Sequence, residues 1–88
     1  MPPLTFEWDD ENIEHIARHK VEINEAEEVF DNRPLILRTQ EDKYLAIGQT
    51  DEGRYLAIVF ARKPGRTRVI TARDLTEREK KGLKRRKK

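Results

Sequence analysis

The sequence predicts an α+β domain in which an N-terminal strand and two short helices pack on an antiparallel β-sheet, with a C-terminal helix. Three observations predict it. Segments 9–20 and 24–32 each carry apolar residues at i, i+3 and i+4, the spacing that puts them on one helical face. Segment 35–73 reads as strands punctuated by Gln40-Glu41-Asp42, Asp51-Glu52-Gly53 and Pro64-Gly65, all turn-forming strings. Thr76-Glu77-Arg78-Glu79 then matches a capping box and opens a last helix. The 88 residues suffice for one modest core, so residues 1–83 are read as a single domain. Residues 84–88, all Lys or Arg, are read as a disordered basic tail, because like charges repel and bury nothing.

Taken in order, Thr5-Phe6-Glu7-Trp8 alternates and puts two aromatics on one face, which predicts a short strand. Asp9 or Asp10 caps the first helix, since a short acceptor satisfies free amides and Glu11 complements the dipole. Ile13, Ile16 and Ala17 form its apolar stripe, and the helix should end near Lys20, where Val21 and Ile23 favour extension. Asn24, with Glu27 three residues on, opens the second helix, whose stripe is Ala26, Val29 and Phe30. Pro34 ends it by restricting the residue before it. Strands then follow at Leu35-Ile36-Leu37, from Lys43 to Gly48, from Arg54 to Arg62 and from Arg66 to Arg73. The third is apolar on both faces, through Leu56, Ile58 and Phe60 on one and Tyr55, Ala57, Val59 and Ala61 on the other, so it should be central. In the last helix, Gly82 is expected to interrupt the helical run.

Composition narrows the function classes. Without cysteine, neither a disulfide framework nor a thiolate metal site can form. The longest apolar run, Leu56 to Ala61, is far too short to span a bilayer, and Met1-Pro2-Pro3-Leu4 lacks the regions of a signal peptide. A soluble, cytoplasmic protein without membrane contact is the expectation. The net charge of +2 conceals an asymmetry: residues 1–32 hold ten acids against two bases, residues 33–88 seventeen bases against seven acids. Such a split marks the basic half as a surface for nucleic acid or another partner.

The residues that carry chemistry are few. His15 and His19 lie four apart on one helical face, but a zinc site needs a third ligand that the sequence does not signal. As surface histidines they need no special role. Alternatively His19, at a helix C-terminus, serves as a general acid or base, because an imidazole titrates near neutrality. In the last strand Arg66 and Arg68 at one end and Arg73 at the other bracket an apolar centre; guanidiniums at strand ends suit bidentate phosphate binding, or are simply solvated charges. Cleaving RNA without a metal requires a group to deprotonate the 2′-hydroxyl, cations for the phosphorane charge and a donor for the leaving oxygen. His19, Glu41 and the arginines are the groups available. On a regular strand, however, Arg68 and Arg73 face opposite sides, so a twist, a bulge or a strand end near Ala72 is needed to unite them.

With those residues in view, the chain from Phe6 to about Glu79 resembles the BrnT family of bacterial type II toxins. The likeness rests on Phe6-Glu7-Trp8-Asp9, on Arg18-His19 (similar to the family's Lys-His-Gly) and on the Asn24–Asp31 helix. It continues in the hairpin that places Glu41 and Lys43 before a strand ending at Gly48. Most specific is Arg68-Val69-Ile70-Thr71-Ala72-Arg73, which resembles the family's Arg-x-Ile-Ser-Ala-Arg and is followed by Thr-x-x-Glu. The resemblance implies a RelE-like ribonuclease fold and RNA cleavage without metal or cofactor. His19, Glu41, Arg68 and Arg73 would be catalytic, with Arg18, Lys43, Arg54, Arg62 and Arg66 as further RNA contacts. It implies a ribbon-helix-helix antitoxin as partner, DNA being reached only through that antitoxin. Departures from the pattern are Lys20 where glycine is usual, His15 where asparagine is common, Lys43 in place of arginine, and no tyrosine near the end of the last helix. The alternatives from other classes are a BrnT-like binding module that cleaves nothing, and a small nucleic-acid-binding protein.

Overall fold

The computed structural model describes residues 5–40 and 42–86, of which 84–86 are described by their backbone alone. Its elements are β1 (Phe6–Glu7), α1 (Asp10–Ala17), α2 (Ile23–Asp31), β2 (Leu35–Gln40), β3 (Lys43–Gln49), β4 (Tyr55–Lys63), β5 (Arg66–Asp74) and α3 (Glu77–Arg86). The strands form one sheet in the order β1-β5-β4-β3-β2. From β2 to β5 every pairing is antiparallel, as expected; β1 adds a parallel edge, with Phe6 opposite Thr67 and Glu7 opposite Arg68. The α+β class is therefore observed, in a mixed sheet. The most apolar strand, β4, is the middle one. No helix among the described residues is long and apolar enough to cross a membrane.

Each face of the sheet has its own core. On one, α1 and α2 bury Ile16, Val21, Ala26 and Val29 against Ala46, Leu56, Ile58, Phe60, Val69 and Ala72. Phe6, Trp8, Phe30 and Tyr44 close the rim, with Phe30 edge-on to Phe60 at 5.0 Å. On the other face, Leu75 and Leu83 of the C-terminal segment pack on Ala57, flanked by Leu35, Leu45, Ile47 and Tyr55. Gly48 permits the close approach of α2 to β3, since a Cβ there would meet Pro34 at 3.2 Å and Val29 at 3.3 Å.

The helix ends differ from expectation for local reasons. Asp9 caps α1 in a reciprocal pair with Asn12: Asn12 N–H donates to Asp9 Oδ1, and Asp9 N–H to Asn12 Oδ1. α1 closes at Ala17, before Lys20, in a Schellman arrangement: Val21 N–H reaches Ile16 O, Lys20 N–H reaches Ala17 O, and Lys20 adopts φ 58°. α2 starts before Asn24 because the Glu22 N–H donates to the Glu25 carboxylate; Glu27, expected to cap, instead accepts from the Trp8 indole. Gly82 does not interrupt α3. A helical glycine costs only about 1 kcal/mol, and burial of Leu83 next to it offsets that. The Thr76–Glu79 capping box forms as read. Of the expected tail, the helix backbone takes in residues 84–86, and the rest lies outside the described residues.

Candidate functional site

The geometry of the site begins with one extra residue. Val59 pairs with Thr71 and Phe60 with Val69, so Ile70 is a bulge in β5. Its consequence is visible in the core: Val69 and Ala72, three apart, are both fully buried on the α1–α2 side. Arg68 before the bulge and Arg73 after it therefore share the opposite face. This is the distortion that the sequence required, two residues earlier than Ala72. Their partners across the ladder, Ala61 and Ala57, lie four residues apart in β4, which is about 13 Å along the strand. Lys43 belongs to the same row as Arg68, being opposite Ala61; two strand spacings put it roughly 10 Å away. Leu45, Val59 and Thr71 floor the space between, and α3 walls it on the Arg73 side.

Both arginines are held by carboxylates. Arg68, only 17% exposed, donates from Nη1 to Asp9 Oδ2 at 2.7 Å, and Nη2 lies 3.4 Å from Glu11 Oε1. The hydrogen bond from Arg68 is the main reason the Asp9 carboxyl sits below its ordinary pKa, and its counterpart raises Arg68. Arg73 grips Glu79 with two bonds of 2.8 Å and so ties α3 to β5. That grip, followed by the Thr76 N–H, holds Glu79 down to about 2.

Arg54, expected as an RNA contact, is engaged by three elements of the fold. Its Nε and Nη2 donate to the two Asp74 oxygens at 2.7 and 3.0 Å. Nη1 reaches Glu25 at 3.1 Å and Lys20 O at 2.7 Å, and Nη2 reaches His19 O at 3.3 Å. One guanidinium thus joins the end of α1, the start of α2 and the end of β5, and its hydrogen bonds raise its pKa, with Asp74 the main cause.

His19 is exposed at this corner, its ring stacked on His15 at 6.5 Å. Asp74 pairs opposite Leu56 on the helix side, whereas Arg73 faces away. His19 is accordingly near the strand end that bears Arg73, and the far end of β5 carries Arg68. Glu41 lies outside the described residues. Arg18 pairs with Glu14 at 3.4 Å on the exposed side of α1. Arg62 stacks over the Tyr44 ring at 5.0 Å on the helix side, and Arg66 lies 3.5 Å from Glu7. Lys43 is exposed and makes no ion pair among the described residues. No group of three or more His, Cys, Asp or Glu suited to a metal occurs among them either.

Sequence reasoning gave no role to Asn12, Glu7 or Lys63. Asn12 is buried, and its amide donates to Glu7 O and Val69 O at 2.9 Å, satisfying β5 where β1 stops. Its signal was the Asp-x-x-Asn spacing of a capping box. Residues 8–79 match the family described as ribonuclease toxin, BrnT, of type II toxin-antitoxin system. No curated protein and no solved structure matches.

Proposed function

The chain belongs to the BrnT family of ribonuclease toxins of type II toxin–antitoxin systems, and we propose that it cleaves RNA without a metal ion, on the sheet face that carries Arg68 and Arg73. The bulge at Ile70 is the observation that supports this reading, because with it Arg68 and Arg73 project from one sheet face, with Lys43 in the same row as Arg68 two strands away. Attack of a 2′-hydroxyl on the adjacent phosphorus makes a phosphorane whose extra negative charge needs donors fixed in advance. Arg68 and Arg73 are those donors, and their positive charge offsets the negative charge that develops. His19 is the main acid–base candidate, and Glu41, two positions before Lys43 in the sequence, is the second candidate for the 2′-hydroxyl proton. The 5′-oxygen leaves with a proton from His19, which lies on the helix side of the strand end that bears Arg73, so the RNA has to pass round that end to meet both. Arg66 extends the phosphate path on this face, and Arg18 offers a contact only on the α1 side of the molecule.

RNA must compete with Asp9 and Glu79 for the two guanidiniums. That same pairing favours a second reading, in which the face only binds RNA or the antitoxin and cleaves nothing. A toxin of a type II system has an antitoxin that silences it, and we assign a ribbon-helix-helix protein to that place. Expression in bacteria with and without the neighbouring gene tests both points. Growth arrest, loss of cellular RNA and rescue by a ribbon-helix-helix neighbour support the proposal; arrest with intact RNA supports the second reading.

A further inference from the structure

We propose that Lys63, Arg66 and Arg68 form a cradle for an RNA phosphate, and that the Glu7 carboxylate occupies this cradle in the free protein and sets how tightly RNA is held. The ligand's identity rests on the ribonuclease reading above; the cradle itself rests on geometry. Lys63 and Arg66 are cross-strand partners on either side of the Pro64–Gly65 turn, where Gly65 takes φ 72° as the third position of a type II turn requires. Arg68 lies two residues beyond Arg66, hence on the same face. Glu7 enters that face from β1, in parallel register with Arg68. Three cations from two strands thus converge on one carboxylate.

The contacts are loose. Lys63 Nζ and Arg66 Nε stand 3.4 and 3.5 Å from Glu7 Oε1, and Arg68 Nη1 stands 3.5 Å from Oε2. Charge-assisted hydrogen bonds close to about 2.7–2.9 Å, and the Arg68–Asp9 bond does so at 2.7 Å. Glu7 Oε1 is buried yet receives no hydrogen bond. A carboxylate ringed by three cations and bonded by none is a poor device for stability, since a buried acceptor left without a donor is costly. Phosphate, larger and with its oxygens arranged tetrahedrally, offers acceptors to all three donors at once. Lys63 and Arg66 are 42 and 54% exposed, so the approach to the cradle is open. Displacing Glu7 needs only a side-chain rotation, because the β1 backbone is fixed by its pairing to β5. While it stays, Glu7 repels an incoming phosphate and lowers affinity.

The test is fluorescence anisotropy of the full chain with a 2′-O-methylated single-stranded RNA, which binds but cannot be cut, over a salt titration. Replacing Glu7→Gln should tighten binding about threefold to tenfold near 0.1 M salt, by removing one like charge from the phosphate position. Lys63→Gln should weaken binding and flatten the slope of log affinity against log salt by about 0.7, the value for one contact to a single strand. In the Glu7→Gln/Lys63→Gln protein the gain should shrink. A folded Glu7→Gln protein that binds no tighter overturns the proposal, as does Lys63→Gln with an unchanged slope. Should Glu7→Gln fail to fold, the slopes of the Lys63→Gln and Arg66→Gln proteins decide. Loss of antitoxin binding without loss of RNA binding in these variants overturns it too, and assigns the cradle to a carboxylate of the antitoxin. Abolished cleavage of unmodified RNA by Glu7→Gln at unchanged affinity likewise overturns it, by making Glu7 a proton acceptor. Because the probe cannot be cut, failure of the wild-type protein to cleave RNA counts against the ribonuclease reading alone.

Discussion

Replacing Arg54→Met should cost the fold far more than it costs RNA recognition. The Arg54 side chain is 27% exposed, and its guanidinium engages Asp74, Glu25 and the carbonyls of Lys20 and His19 at 2.7–3.3 Å. Methionine keeps most of the stem's packing and removes every donor. Fully exposed pairs are worth about 0–1 kcal/mol, hydrogen bonds to charged groups about 1.5–3 kcal/mol each, and breaking a buried pair about 3–5 kcal/mol. Asp74, 61% exposed, rehydrates easily; Glu25, 23% exposed, does so less well. The intermediate burial and the shared geometry put the loss at about 2–3 kcal/mol. For a domain of this size that lowers Tm by roughly 10–20 °C. Urea unfolding followed by circular dichroism measures the first figure, a thermal scan the second. A loss under about 0.5 kcal/mol would refute the clamp. So would a variant of unchanged stability that binds RNA several-fold more weakly, which would restore Arg54 to the phosphate path.

Two further predictions follow from the same kind of accounting. Lys20→Gly should stabilise the protein by roughly 0.5–1 kcal/mol in urea, because relief of the left-handed strain outweighs the entropy glycine adds to the unfolded chain; Lys20 holds φ 58°, and a net loss would show that its side chain matters more. Glu79 is held at about 2 against an ordinary 4.5, so its contribution is complete above pH 4.5 and disappears as pH falls towards 2. At 38% exposure, solvent screening leaves it about 1 kcal/mol. The stability of wild type minus that of Glu79→Gln should therefore shrink across that window, and a constant difference contradicts the assignment.

The elements were legible where local chemistry decides them. Apolar stripes located α1 and α2, two-sided apolarity located β4 at the centre, and Thr76–Glu79 announced α3. Ends were less legible. Lys20 can close a helix in the left-handed region only because Val21 returns to Ile16 in the core, and α2 starts early because Glu25 serves both Glu22 N–H and Arg54. The parallel edge β1 could not be read, since its partner lies some sixty residues downstream. In the site, the sequence showed that Arg68 and Arg73 needed a bulge to act together, but Val69-Ile70-Thr71 gives no sign of which residue is extra. Nor does sequence tell an arginine that clamps three elements from one that meets solvent: Arg54 and Arg66 look alike until the carboxylates around them are placed.

Cleavage of a defined RNA in excess EDTA, by purified wild type and by Arg68→Ala and Arg73→Ala proteins shown to be folded, tests the central claim most directly. The account predicts that the wild type cuts in EDTA and that each variant is slower by about 10²–10³-fold, the usual effect of losing one preorganised donor to the transition state. Folded variants that cut at the wild-type rate, or a wild type that cuts only once a divalent cation is added, would contradict it.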